Sequence, residues 1–166
     1  MTTAPARAEA PAVPPLSRDL RALVGTVSAP RTRTVLASDV HRFRLATAAG
    51  EGAGSTDPAV VPAVGSVVPP TFFCPDPLVA AEALGLPRPR PLARTIDGGS
   101  RWEVVRPVRV GDTLTLVARI ASITPRTTAD GRPMVLTVIE VIAWNQDGHE
   151  VGVALATSVS YEERLP

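Results

Sequence analysis

Two histidines, one cysteine and a scatter of carboxylates are the side chains of this sequence best suited to moving protons or attacking a carbonyl carbon. Acid–base chemistry needs two such groups in reach of one substrate, one taking a proton while the other gives one. The candidates are His41, Asp57 and Glu82. His41 lies between Val40 and Arg42 in a helix-patterned stretch, where an ordinary surface or half-buried histidine is the simpler reading. Asp57 precedes Pro58 and reads most simply as a turn former. Glu82 is the one polar residue on an otherwise apolar helix, and emergence at the helix end explains it. His149 follows a hairpin glycine and is expected to be an exposed turn residue. Cys74 precedes Pro75 at the lip of that apolar helix. A helix start can activate a thiol, but with no histidine in view packing is the simpler role.

Binding chemistry is carried by arginine. All 17 basic residues are arginines, so lysine Schiff-base chemistry is excluded. Arg88, Arg90 and Arg94 sit in a proline-stiffened stretch and are candidates for meeting phosphate groups; a solvated loop is the competing reading. A net charge of +1 and 4% aromatic content argue against nucleic acid and anionic membrane as partners. The lone cysteine excludes an intrachain disulfide and a cysteine zinc site, and no metal or cofactor is expected. No apolar run reaches membrane-spanning length. The Ala/Pro-rich start lacks an apolar signal core, so a cytoplasmic protein is expected.

The positioning elements follow from pattern. At 166 residues the chain fits one domain, with residues 1–15 expected as a disordered Ala/Pro-rich tail and 16–166 as the folded part. Leu16 to Val24 suggests a short helix capped by Ser17 and stopped at Gly25. Arg33 to Leu36 reads as a strand, and Ser38-Asp39 as the cap of a helix running to Ala48. Gly50 to Pro58 is loop, and Pro62 to Pro70 is held extended by its prolines. Asp76-Pro77 starts a helix that is apolar nearly all round through Leu84, hence one expected to be buried on its whole circumference. Gly85 and the prolines from Pro87 to Pro91 end it.

From Ile96 to Leu114 the chain reads as extended, turning at Val110-Gly111-Asp112 into a long alternating strand. Asp130-Gly131 and Gln146-Asp147-Gly148 then mark hairpins separating Met134–Trp144 from His149–Tyr161. Trp102 and Trp144 fall on strands and are expected to pack the sheet. Long antiparallel strands with one wholly apolar helix have a simple solution, in which a curved sheet wraps the helix. The expected class is α+β, a single long antiparallel sheet around a central helix.

Four segments carry a resemblance to a known family: Leu23-Val-Gly25, Val68-Pro-Pro-Thr-Phe-Phe-Cys74, Gly98 to Leu114, and Asn145-Gln-Asp-Gly148. In that order they resemble the hotdog-fold MaoC-like hydratase/dehydratases, of the N-terminal, fatty-acid-synthase-like type. Members include the accessory subunits of mycobacterial-type (3R)-hydroxyacyl-carrier-protein dehydratases. Catalytic members carry a Gly-Asp-x-Asn-Pro-x-His type loop whose Asp and His act as acid and base on a 3-hydroxyacyl thioester. A helix N-terminus there stabilises the enolate oxygen. The corresponding loop here, Ala48 to Pro58, holds Asp57-Pro58 but no histidine.

The resemblance therefore implies an accessory subunit of a (3R)-hydroxyacyl-thioester dehydratase or enoyl hydratase. It would pair with a hotdog subunit that keeps the Asp/His pair and act on an acyl carrier protein or coenzyme A thioester, in fatty-acid or polyketide metabolism. It places Thr71, Phe72 and Phe73 at the tunnel wall and Gly98-Gly99 near the thioester or a partner strand. Core packing explains the phenylalanines equally well, and a plain bulge the glycines. Arg88, Arg90 and Arg94 would face the phosphates of the phosphopantetheine arm or coenzyme A. Two alternatives stand beside it. One is a self-sufficient hotdog dehydratase or a thioesterase using Glu82 or Asp57. The other is a homodimeric acyl-binding module without chemistry.

Overall fold

The structure, a computed structural model, describes residues 15–47, 60–73 and 76–162. It holds helix α1 (Arg18–Ala22), strand β1 (Arg31–Thr34), helix α2 (Ala37–Thr47), a 3-10 turn over Pro70–Phe73, helix α3 (Pro77–Ala83), and strands β2 (Arg94–Val104), β3 (Thr113–Thr127), β4 (Pro133–Trp144) and β5 (Glu150–Tyr161). The strands form one five-stranded sheet in the order β1-β3-β4-β5-β2, every neighbouring pair antiparallel.

The expected meander is present as β3, β4 and β5. Each of its two hairpins turns through a glycine at positive φ, Gly131 at 84° and Gly148 at 75°, where a side chain would be strained. The β2 strand does not join this meander in sequence order. It crosses over to pair with β5, leaving β1 and β2 as the two edges of the sheet.

Alternation decides what each strand buries. On β4, Val135, Thr137, Ile139, Val141 and Ala143 are buried while the residues between them are half-buried. The inward face carries two clusters. Leu78 and Ala81 from α3, with Leu84 just past its end, pack with Ala118, Ile120, Ile139, Val141 and Ala154. Val40 from α2 packs with Val35, Val68, Val108, Val110, Leu114 and Val151. Trp102 and Leu116 touch both clusters. The inward surface of the sheet thus seats α3 on one cluster, while α2 reaches the other through Val40 and Ala37.

Three local expectations need correction. The α3 helix is not buried on its whole circumference: Val79 is 60% exposed, and Glu82 and Ala83 are also exposed. A sheet can cover only the side of a helix it faces, and here that side carries Leu78 and Ala81. The α2 helix starts at Ala37, ahead of the expected Ser38-Asp39 cap. Its Asp39 carboxylate instead binds Arg42 at 2.5 Å and approaches Arg33 at 4.0 Å. The first strand ends at Thr34 rather than Leu36, because Val35 turns into the core at 2% exposure.

The segment from Ile96 to Leu114 divides into the rest of β2, a loop, and the start of β3. The turn at Val110-Gly111-Asp112 is present. The Asp112 carboxylate accepts from the Arg109 backbone N–H at 2.7 Å, and Gly111 sits at φ 96°.

Candidate functional site

Residues singled out from the sequence fall into separate neighbourhoods rather than one constellation. Asp57 and Cys74 lie outside the described residues. His41 sits on α2 and is half-buried, its Nδ1 enclosed without a hydrogen-bond partner. Among the described residues no carboxylate hydrogen-bonds this imidazole, so none of them orients it as acid–base catalysis requires. His149 is exposed in the β4–β5 hairpin, as expected, where its backbone N–H donates to the Asn145 side chain at 2.9 Å.

Glu82 stands on the exposed side of α3, and Arg88 reaches it at 3.7 Å. Glu82 is thus held by a surface ion pair at the helix end, which agrees with the plain sequence reading. One Arg88 nitrogen, Nε, is buried without a hydrogen-bond partner. Arg90 is exposed, and Arg94 opens β2 opposite Tyr161.

Thr71 and Phe72 lie in the 3-10 turn leading to α3; Phe73 ends it. Thr71 is exposed and Phe72 is half-buried. The Phe72 ring packs against the α2 cluster and meets Phe43 edge to face, with centroids 5.5 Å apart and planes at 82°. The Arg33 guanidinium lies 5.7 Å from the centre of the Phe72 ring. Sequence reasoning missed this assembly of Arg33, Phe43 and Phe72. The helical spacing of Val40 and Phe43 was the available signal for the inward side of α2.

Gly98 and Gly99 occupy a bulge in β2, where the register against β5 shifts between Asp97 and Ser100. Gly99 has φ 106°, and the Asp97 carboxylate accepts from its N–H at 2.8 Å. A Cβ at Gly98 would lie 2.7 Å from Val159 Cγ2 and 3.1 Å from the Thr157 carbonyl oxygen. The close approach at Gly98 is therefore to the chain's own β5.

The start of α3 has a feature of chemical consequence. Pro77 offers no N–H, and the Leu78 N–H is bound at 2.9 Å by the Asp76 carboxylate. A helix start stabilises an external anion when its amides are free. Here one is missing, one is engaged, and the engaging group is itself negative.

The sequence from Arg132 back to Thr128 closes the β3–β4 hairpin. Thr128 Oγ1 donates to the Asp130 carboxylate at 2.5 Å, and Arg132 Nε donates to it at 2.9 Å. These hydrogen bonds, the Thr128 one first, hold the Asp130 carboxyl below the usual aspartate range. This is turn architecture, at the opposite end of β4 from the His149 hairpin. Among the described residues, no group of three or more His, Cys, Asp or Glu could hold a metal ion. No described helix is long and apolar enough to cross a membrane.

Comparison with known proteins decides the family. Residues 22–153 match the family model described as the FAS1-like, dehydratase domain region. The chain belongs to that family. It is a MaoC-like hotdog protein, and the five-stranded sheet carrying α3 is its hotdog fold. The chain of the HadBC (3R-hydroxyacyl-ACP dehydratase) complex from Mycobacterium tuberculosis is similar in fold, with a TM-score of 0.57 at 22% identity over 83% of this chain and 97% of that one. The MaoC-like dehydratase from Rhodospirillum rubrum gives 0.53 at 19% identity over 86% of this chain and 94% of that one. No curated protein matches the chain. Hydratase/dehydratase hotdog chemistry is thus the family setting in which the site must be read.

Proposed function

We propose that this chain is the accessory subunit of a (3R)-hydroxyacyl-thioester dehydratase or enoyl hydratase in fatty-acid or polyketide metabolism. A second hotdog chain supplies the Asp and His, and this one receives part of the acyl group. The observation that carries the reading is the absence of any histidine from the loop Ala48 to Pro58, which corresponds to the loop where catalytic members of the resembled family keep theirs. The α3 start agrees with it. An enolate oxygen forming there would meet the Asp76 carboxylate rather than free amides.

Pairing is assigned to β2. It is an edge strand with one side of its backbone unpaired by any named strand, and nearly every residue along it is exposed. A long open edge of this kind is a template for a second sheet, and adding one removes it. Arg88, Arg90 and Arg94 lie on the approach from α3 to that edge, suited to the phosphates of a phosphopantetheine arm or coenzyme A. Thr71, Phe72 and Phe73 line the acyl route ahead of α3. Residues 1–15 form a tail outside the hotdog domain, and the complex works in the cytoplasm.

The test is hydration of crotonyl-CoA. The purified chain alone shows negligible turnover, and co-expression with a hotdog chain bearing the Asp/His loop restores it. High turnover by the chain alone, or no association with such a chain, refutes the proposal.

A further inference from the structure

The outward face of the sheet has no role in edge pairing, yet it is not the polar surface that a solvated antiparallel sheet presents. Along β4 and β5 the buried residues alternate with outward ones, and apart from Glu140 and Thr157 the outward set between the strand ends is also apolar. Leu136 and Ile142 on β4 stand opposite Val159 and Val153 on β5, while Val138 stands opposite Thr157 and Leu155 opposite Glu140, all of them half-buried. Ile96 on β2, opposite Val159, extends the stripe and is 52% exposed. To either side the outward residues turn polar. On β3 they include Thr115, Arg119, Ser122 and Thr124, with Val117 opposite Ile142 the one apolar residue among those paired with β4. On β2 they include Arg101 and Glu103. The one charged residue within the stripe, Glu140, is paired with Arg119 at its margin.

An apolar centre inside a polar rim is the anatomy of a protein interface. Its size can be gauged. Twelve residues each in β4 and β5 give a length of ~40 Å at ~3.3 Å per residue. Two strands at ~4.8 Å spacing make an apolar core of about 400 Å², and four strands with the rim make about 750 Å². That is close to the ~800 Å² per partner of a standard interface.

We propose that this outer face of β4 and β5 is a self-association surface, on which a second copy of the chain packs sheet against sheet. The shape selects the occupant. Rows of side chains at the spacing of a pleated sheet interdigitate best with the same rows on another sheet, about 10 Å away. A second copy offers such a face by construction. Among the described residues α1 does not, with no buried residue and an Arg/Asp surface, and the sequence of Met1 to Pro14 contains two large apolar residues, Met1 and Val13. The surface is separate from the β2 edge, so back-to-back packing doubles whatever unit edge pairing creates.

Two measurements on the full-length chain test this. In native mass spectrometry the Val138→Glu and Leu155→Glu variants halve the number of copies of this chain per particle, because a carboxylate in the apolar centre meets its own symmetry mate. An unchanged copy number in folded variants overturns the proposal. If these variants fail to fold, hydroxyl-radical footprinting of the wild-type chain decides it. Met134, Trp144 and Tyr161 share the outer face and serve as reporters. Their labelling is slow in concentrated solution and rises at least about tenfold on dilution below the dissociation constant. Labelling that is fast at every concentration, or protection that appears only when a different protein is added, overturns it. Edge pairing is read separately through restored hydratase turnover, so either proposal can fail alone.

Discussion

Phe72 meets Phe43 edge to face at 5.5 Å between ring centroids, and this contact ties α2 to the turn that launches α3. Phe72 also packs against the buried cluster that holds Val40 and Val68. Phe43→Ala is expected to lower stability by about 2–3 kcal/mol, from lost area plus the aromatic pairing. Phe43→Leu, which keeps most of the area, is expected to lose only about 1 kcal/mol. Urea denaturation followed by far-UV circular dichroism distinguishes the two. Equal losses would mean that edge-to-face geometry contributes nothing.

The Asp76 cap gives a second expectation. Its carboxylate accepts from the Leu78 N–H, so Asp76→Ala removes a cap and is expected to cost about 1 kcal/mol. Asp76→Asn keeps an accepting oxygen and is expected to stay within about 0.5 kcal/mol of the parent. Thermal melts at one pH are sufficient to see this ranking. A reversed ranking would show that the negative charge, rather than the hydrogen bond, dominates at this helix start.

Gly98 and Gly99 are predicted to fail for different reasons. An alanine at Gly98 pushes a methyl against Val159 and the Thr157 carbonyl oxygen; the side chain can yield but the backbone cannot. The expected cost is about 1–3 kcal/mol. An alanine at Gly99 meets nothing within 4 Å but must hold φ at 106°, a conformation that costs an L-residue about 1–2 kcal/mol. Gly99→Asn is expected to recover part of that loss, since asparagine tolerates positive φ better, while Gly98→Asn is expected to be worse than Gly98→Ala.

The Asp130 hairpin supplies a pH prediction. Its carboxyl is held low in the folded chain by Thr128 and Arg132, so the folded state binds this proton less readily than the unfolded one. The stabilisation is therefore present above the ordinary aspartate pKa of about 3.9 and is lost as pH falls through the lowered folded value. An NMR titration of the Asp130 side chain is expected to show its midpoint below that of a free aspartate. Asp130→Asn should flatten the acid limb of the stability curve, and Thr128→Val should raise the Asp130 midpoint.

Much of the architecture was legible because it depends on short-range pattern. Alternation in β4 and β5, the Asp130-Gly131 and Gln146–Gly148 turns, and the Asp76-Pro77 start all depend on residues within a few positions of each other. What pattern could not reveal was which surfaces stay uncovered. The α3 sequence reads as apolar all round, but burial depends on how far a sheet reaches around it, and Val79 lies beyond that reach. The outward rows of β4 and β5 were hidden for a related reason. A run such as Met134 to Trp144 looks the same whether its second face is covered by another layer or left open. In the site, His41, Glu82 and the arginines could be named from residue type, whereas their separation could not. The Arg33 position above Phe72 joins residues 39 apart in sequence, a distance no local pattern spans.

The two margins of the sheet are unequal, and this fixes what edge addition can build. The β1 margin is only four residues long and fully exposed, and its alternating Arg31 and Arg33 repel a like strand. The β2 margin is eleven residues long. A strand added along β2 would leave this chain's β1 as its outer margin, where four exposed residues with two arginines disfavour a second addition. The unequal margins of this sheet confine strand addition to one side.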